Sequence, residues 1–377
     1  MPKSILLAGG GTAGHVNPLL AVATAVRQKY PDAAITVLGT REGLEADLVP
    51  SRGFDMRFVP RVPMPRRPTP QWFALPSKLQ SAVTAAREAI TEIDADVVIG
   101  FGGYVSTPAY LAARKLDVPI VVQEQNARAG IANKLGARWA KAVTTTFEST
   151  ALPSSQVTGL PLRAEISALI SALENNPEQT RRAAAAELGL DPNRPILLVT
   201  GGSLGALRLN RTITQVAPEL LEGGVQILHL TGKGKSEQVL EDLSSLDPIA
   251  RADYHVLEYL VRMDLAYAVA DLVVCRSGAG TVCELAALSL PAVFVPLPIG
   301  NGEQKLNAGP MVDAGGALII DDSLFTENWV RSNVVPLVRD RATLGRMAIA
   351  ARSVGKPYAT ARVLEVLEGV AGWSSND

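Results

Sequence analysis

The sequence predicts an α/β protein of two tandem domains, each a parallel sheet covered by helices on both faces, and three observations predict it. Short apolar runs alternate with alanine-rich helical stretches along the chain, and that alternation stops once and restarts. Three of the runs break into glycine and then into a helix: residues 4–8 into 9–15, 97–101 into 102–106, and 196–200 into 201–206. Strands apolar on both faces and separated by helices belong to buried parallel sheets. A chain of 377 residues is also long for one core.

In the first half the predicted strands are 5–8, 35–38, 96–100, 120–123 and 142–145, with helices over 19–29 and 79–93. Gly159-Leu160-Pro161 reads as a linker, because nothing periodic spans it. After a polar helix over 178–188 and an Asp191-Pro192-Asn193 turn, strands 196–200, 226–231, 254–257, 272–275 and 292–295 form the second half. The expected domains are Rossmann-like: 1–161, joined by a C-terminal helix within 357–377 that crosses back to it, and 162–356. Their sheets are expected to face across a cleft.

Composition excludes several classes. Lys and Arg number 36 against 37 Asp and Glu, a net charge of −1, so binding nucleic acid through global charge is excluded. Two cysteines, Cys275 and Cys283, suit a reducing cytoplasm. The N-terminal apolar run is too short for a signal peptide. Residues 285–302 carry no charge, but Pro291, Pro296 and Pro298 interrupt them, so they read as a helix end, a strand and a loop, not a membrane span.

A strand-to-helix turn without side chains lets backbone amides approach an anion, and the helix dipole adds about half a positive charge. The glycine turns therefore point to a bound diphosphate. Gly9, Gly11 and Gly14 satisfy the dinucleotide pattern Gly-x-Gly-x-x-Gly. The next strand, however, ends at Leu38-Gly39-Thr40-Arg41 with no carboxylate for a ribose 2′-hydroxyl, which argues against NAD(P). His15 opens the helix behind this turn, where the dipole disfavours protonation and leaves an imidazole able to accept a proton. The alternative is a histidine that caps a helix.

In the second half, strand 272–275 runs into Arg276-Ser277-Gly278-Ala279-Gly280-Thr281-Val282-Cys283-Glu284. Glu284 has two readings: the glutamate of a Thr281-x-x-Glu284 capping box, or a carboxylate accepting both hydroxyls of a ribose. Asn301 to Ala308 places amides suited to sugar hydroxyls beyond strand 292–295, or is a polar loop opening a helix. Between Arg61 and Lys78, Trp72, Phe73 and Leu75 lie beside Arg66 and Arg67. Such a segment suits an anionic membrane surface, or folds as a proline-rich loop onto its own domain.

Taken together, Gly10-Gly11-Thr12-Ala13-Gly14-His15-Val16-Asn17-Pro18, Gly102-Gly103-Tyr104-Val105-Ser106 with Pro108, Glu124-Gln125-Asn126, Gly201-Gly202-Ser203 with Gly205-Ala206, and the 277–284 segment resemble the MurG family of peptidoglycan N-acetylglucosaminyltransferases. The motifs cover nearly the whole chain in order. The resemblance implies the GT-B fold and inverting transfer of N-acetylglucosamine from UDP-N-acetylglucosamine to the C4 hydroxyl of the muramyl sugar of lipid I, giving lipid II. It implies a donor site made of Ser203, the Leu260 backbone, Ala279, Gly280, Thr281, Glu284 and Gln304, closed by Thr12, Ala13, Gly14, Asn126 and Arg163. Gly11, Gly103, Tyr104 and Ser106 would face the acceptor diphosphate. Position 204 is Leu where the family often has Gln, and 303 is Glu where His or Gln is commoner.

Inverting transfer needs a base for the acceptor hydroxyl, and His15 is the first candidate and Glu124 the second. No Asp-x-Asp is read as a nucleotide–metal motif, since Asp94-Ala95-Asp96 stands at the amino end of a predicted strand, and no metal-ligand spacing occurs, so no metal or cofactor is expected, and helix dipoles, Ser203 and Arg163 would stabilise the leaving diphosphate. The expected partners are UDP-N-acetylglucosamine, lipid I, the anionic inner leaflet and other cell-wall synthesis and division proteins. The expected place is the cytoplasmic side of the cell membrane, held peripherally. Competing readings are another GT-B enzyme with a different acceptor, the UDP-N-acetylglucosamine 2-epimerase group, and a non-catalytic nucleotide-sugar-binding protein.

Overall fold

The computed structural model describes residues 3–62, 75–202, 206–299 and 301–373. The chain divides into two units, residues 1–164 with 358–377, and residues 165–357.

Among the described residues the first unit is built on seven strands: β1 (Ser4–Ala8), β2 (Ala34–Gly39), β3 (Asp55–Phe58), β4 (Val97–Gly100), β5 (Ile120–Glu124), β6 (Ala142–Thr145) and β7 (Ser155–Val157). All pairs are parallel, in the order β3-β2-β1-β4-β5-β6-β7. Its helices are α1 (Ala13–Lys29), α2 (Glu45–Ser51), α3 (Leu75–Glu92), α4 (Gly103–Lys115) and α5 (Ile131–Gly136), together with the C-terminal helix Ala359–Ala371. Side chains alternate along β1. Ile5 and Leu7 pack with Leu19, Val22 and Val26 of α1 and with Val363 and Leu367 of the C-terminal helix. Leu6 and Ala8 pack with Ala82 and Ala86 of α3 and Val105 and Ala109 of α4. Burial on both faces explains why these strands are uninterrupted apolar runs. The C-terminal helix is also fixed by polar bonds: Tyr30 Oη donates to Glu368 (2.8 Å), and Trp373 Nε1 donates to Asp96 (2.9 Å).

The second unit carries β8 (Ile196–Thr200), β9 (Gln226–Leu230), β10 (Tyr254–Leu257), β11 (Leu272–Cys275), β12 (Ala292–Phe294) and β13 (Ala317–Ile319), all parallel, in the order β10-β9-β8-β11-β12-β13. Its helices are α6 (Ala164–Asn175), α7 (Pro177–Leu188), α8 (Leu207–Gln215), α9 (Ala217–Glu222), α10 (Ser236–Asp242), α11 (Pro248–Arg251), α12 (Met263–Val269), α13 (Ala279–Ala287), α14 (Glu303–Asp313), α15 (Glu327–Leu337) and α16 (Arg341–Val354). The charge-free stretch 285–302 contains the end of α13, then β12 and a loop. Among the described residues no helix is long and apolar enough to cross a membrane.

Strand order reverses once in each sheet, between β1 and β4 and between β8 and β11. Ala8 pairs with Gly100 at the first switch point and Thr200 with Cys275 at the second. Open parallel sheets bind ligands beyond the carboxyl ends of the strands at such points. Every glycine turn singled out in the sequence begins at one of these four strand ends.

The second core contains one histidine unrelated to the glycine turns. His229 is fully buried on β9, its Nδ1 2.7 Å from Tyr254 Oη and its Nε2 3.1 Å from Asn210 Oδ1. Burial pushes its pKa down from 6.5 to about 3. Below pH 6.5 the unfolded chain therefore takes up a proton that the folded one refuses, and stability falls by about 1.4 kcal/mol per pH unit until the folded value is reached. His15 and His255, also lowered by burial, add to the slope. The urea midpoint should drop between pH 6.5 and 4.5, and less steeply for His229→Asn; equal slopes would contradict this assignment.

Candidate active site

At the first switch point, the turn after β1 places Thr12 as the cap of α1 and His15 in the helix's first turn. Thr12 makes no capping bond; its Oγ1 lies 3.0 Å from His15 Nδ1. The ring lies along the second turn: a methyl on Gly102 would sit 3.2 Å from His15 Nε2 and 3.3 Å from Asn133 Nδ2. Burial lowers the His15 pKa, while the Gly10 carbonyl and the negative charge of Glu45 oppose the shift. The net effect is a neutral imidazole near neutral pH. Ala13 is half-buried beside it, and Gly11, Thr12 and Gly14 are exposed.

The second turn fits against the first because it has no side chains. Gly102 and Gly103 have φ of +89° and +78°, and a Cβ on Gly103 would come within 2.6 Å of the Gly10 carbonyl oxygen. Ser106 was expected to face an acceptor diphosphate. Its side chain is instead fully buried: Oγ accepts from the Gly102 amide (2.9 Å) and lies within donating distance of the carbonyls of Ala8 (3.0 Å) and Gly102 (2.8 Å). It ties the second turn to the end of β1. Tyr104, in the first turn of α4, is 41% exposed, with the Arg61 guanidinium over its ring at 5.5 Å.

Glu124, the second candidate base, lies at the end of β5 with only 2% exposure. Its Oε1 accepts from the Asn126 amide (2.9 Å), and its Oε2 accepts from the Gly130 amide and Asn133 Nδ2 (both 2.9 Å). Burial raises its pKa against these bonds. The carboxylate holds the 126–130 loop, and with it Asn126, in place. Both of its oxygens are so engaged. Arg163 is half-buried ahead of α6.

At the second switch point, Gly202 has φ +77° and donates its amide to Thr200 Oγ1 (3.3 Å). Ser203 lies outside the described residues. Helices α8 and α13, which follow the two turns here, have no acidic residue in their first turns, so their positive ends are not neutralised. Ala279 and Gly280 open α13, and Thr281 is its third residue. The capping-box reading of Glu284 fails, because α13 is capped at Gly278 and Glu284 lies in its second turn. Glu284 is 7% exposed, and its carboxylate accepts from Tyr267 Oη of α12 at 3.1 Å. Leu260, after edge strand β10, makes no backbone hydrogen bond among the described residues. Gln304 accepts through Oε1 from the Leu297 amide (2.9 Å), which turns its side chain toward the end of β12.

Two features escaped the sequence reading. Asp322 accepts from Arg208 Nε (2.8 Å) and pairs with Arg276 (2.6 Å), joining α8 to the end of β11; no spacing signals it. Glu45 bonds to the first turn from α2, six residues beyond the end of β2. A cavity of about 650 Å³ at the opposite, amino-terminal edge of the second sheet is lined by Arg181, Arg194, Asp271 and Pro291. Its Arg181 and Arg194 are engaged with Asp271 and Asp253.

Of the membrane patch, Arg66, Arg67, Trp72 and Phe73 lie outside the described residues. Leu75 is half-buried and packs against the first unit's core. Among the described residues, no group of three or more His, Cys, Asp or Glu side chains could hold a metal ion.

Two Rossmann-like units with glycine turns at both switch points define a GT-B nucleotide-sugar enzyme. Residues 5–145 match the glycosyltransferase family 28 N-terminal domain and residues 196–363 its C-terminal domain. The chain belongs to glycosyltransferase family 28. It is 52% identical over 363 residues to a protein of Clavibacter sepedonicus, covering 96% of this chain and 95% of that one. It is 50% identical over 369 residues to one of Bifidobacterium adolescentis, covering 94% of each. Both are named UDP-N-acetylglucosamine--N-acetylmuramyl-(pentapeptide) pyrophosphoryl-undecaprenol N-acetylglucosamine transferase. The crystal structure of Acinetobacter baumannii MurG superposes with a TM-score of 0.76 at 30% identity, covering 98% of this chain and all of that one. A UDP-GlcNAc 2-epimerase from Neisseria meningitidis reaches 0.67 at 16% identity, which is likeness of fold alone.

Proposed function

We propose that this enzyme transfers N-acetylglucosamine, with inversion, from UDP-N-acetylglucosamine to the C4 hydroxyl of the muramyl sugar of lipid I, giving lipid II. The reading is supported within each unit separately: in the first by a histidine whose pKa burial lowers at a glycine turn, and in the second by a buried carboxylate, Glu284, at a switch point whose helices carry no acid in their first turns.

In this reading the second unit binds UDP. The Leu260 peptide group meets uracil, Glu284 accepts the ribose hydroxyls, and Ser203, Ala279, Gly280 and Thr281 line the diphosphate. The Gln304 amide nitrogen meets the sugar. His15 takes the proton from the acceptor hydroxyl, Thr12 orients its ring, and Ala13, Gly14, Asn126 and Arg163 complete the contacts from the first unit. Gly103 and Tyr104, at the open end of α4, meet the acceptor diphosphate. Charge on the departing UDP is met by the α8 and α13 termini, without a metal ion. Residues 61–74 carry the contact with an anionic membrane surface.

Incubation with UDP-N-acetylglucosamine and a lipid I analogue in excess chelator should give a β-linked disaccharide joined at C4, identifiable by NMR, at an undiminished rate. An α-linkage would contradict inversion, and loss of transfer restored by Mg²⁺ would contradict the metal-free step.

A further inference from the structure

We propose that Glu45 is a positioning residue for this transfer: a buried, ionised carboxylate that occupies the Gly11 amide, fixes the first glycine turn, and supplies the negative charge behind His15 when the ring takes its proton. This rests on the reading of His15 as the base.

Glu45 is the first residue of α2 and has no exposed surface. Its Oε2 accepts from the Gly11 amide at 2.8 Å, and its Oε1 accepts from the Thr40 amide (3.0 Å) and the Thr40 hydroxyl (2.9 Å). Three glycines make room for it. A Cβ would come within 2.3 Å of Oε1 at Gly10, 2.6 Å of Cγ at Gly39 and 2.1 Å of Oε2 at Gly43. These contacts account for glycine at position 10 of the dinucleotide-like turn and at position 43 ahead of α2, while at Gly39, the end of β2, Met56 Cε shares the constraint at 2.3 Å.

Burial alone would push the Glu45 carboxyl up, but the amides of Gly11 and Thr40 outweigh it and hold the carboxyl below its ordinary value. It is therefore charged at neutral pH. A buried carboxylate that accepts backbone amides does to this turn what a bound anion does in a dinucleotide site. A phosphate approaching Gly11 meets an amide already used and a negative charge behind it. Gly11 is thus set aside as an acceptor-diphosphate contact, and the turn holds His15 instead.

The charged groups around the ring can be named. Glu45 acts from α2 and opposes the effect of burial on His15; from β5, Glu124 lies behind Asn133, whose Nδ2 also borders Gly102. Thr12 and the Gly10 carbonyl contribute dipoles. A fixed carboxylate stabilises an imidazolium as it forms, without itself accepting the proton, as in the Ser-His-Asp arrangement.

The test is a double-mutant cycle on the full-length enzyme, with His15→Ala, Glu45→Gln and the pair, assayed with UDP-N-acetylglucosamine and a lipid I analogue. Glu45→Gln keeps the shape and removes the charge. It should lower kcat by about 10- to 100-fold, leave the donor KM unchanged, and move the acid limb of the kcat profile to lower pH. In the His15→Ala background it should add little. The idea is overturned if Glu45→Gln leaves kcat and the limb in place, or if its loss multiplies fully with that of His15→Ala. An unaltered kcat in His15→Ala overturns it too, since no base then remains for Glu45 to position. Should Glu45→Gln not fold, Thr40→Val, which removes one bond to the same carboxylate, must give a few-fold loss of kcat with the same non-additivity. Absence of transfer by the wild type is a separate outcome, which refutes the proposed function.

Discussion

Replacing His15 with alanine is expected to lower kcat for transfer by about 10²- to 10⁴-fold, the usual contribution of a positioned base, with the KM for UDP-N-acetylglucosamine changed little. The expectation follows from where the ring sits. Burial and the positive end of α1 lower its proton affinity, and the Gly10 carbonyl and Glu45 limit the fall. The folded pKa is thus below 6.5, the neutral form predominates at pH 7, and activity is lost as pH drops through that lower value. A pH profile of kcat/KM should show an acid limb below pH 6.5 that disappears in His15→Ala. A wild-type kcat in this variant, or a limb above 6.5 that survives the substitution, would remove His15 from the role.

Glu284→Ala should act on the donor instead. A carboxylate accepting both ribose hydroxyls makes two charge-assisted bonds, each about 1.5–3 kcal/mol, so their loss should raise the KM for UDP-N-acetylglucosamine by about 10²-fold or more. Inhibition by UDP should weaken in parallel, while the acceptor KM stays. The substitution also strands the Tyr267 hydroxyl, a destabilisation of about 1–3 kcal/mol. Glu284→Gln, which can still accept from Tyr267, separates the two effects: it should keep the wild-type melting temperature and most of the KM defect. If Glu284 serves only the packing of α12 against α13, stability will fall and KM will not move.

The sheets were legible in the sequence where they are buried on both faces. Strands such as β1 and β8 are unbroken apolar runs because helices cover them on either side. The strands that escaped reading, β3, β7 and β13, all lie at sheet edges; β3 alternates exposed and half-buried residues over its four positions. Without burial on both faces no continuous run marks them. The glycine turns were legible because local chain geometry, with φ of +87° at Gly11 and +89° at Gly102, demands glycine there.

Side-chain commitments were harder to read. Ser106 looked like a phosphate ligand and is a buried brace; Glu124, read as the second candidate base, also clamps the loop after β5. Glu284 was divided between two readings, and only the position of Gly278 as the cap of α13 removed one of them. Glu45 escaped because the acid was sought at the end of β2, whereas the chain continues through Gly43 into α2 before the carboxylate turns back on Gly11. In each case the deciding partner is distant in sequence or belongs to the backbone, and spacing reports neither.

The central claim is that the second unit selects UDP-N-acetylglucosamine and the first carries the base for a lipid-linked muramyl acceptor. It is tested most directly by kcat/KM for a lipid I analogue, with UDP-N-acetylglucosamine and UDP-glucose as alternative donors under identical conditions. The account predicts efficient transfer with the first donor and a loss of at least tenfold with the second, since the amide group on the sugar adds a polar contact worth about 1–1.5 kcal/mol or more. Equal use of both donors, or hydrolysis of UDP-N-acetylglucosamine with no sugar reaching the lipid, would contradict it.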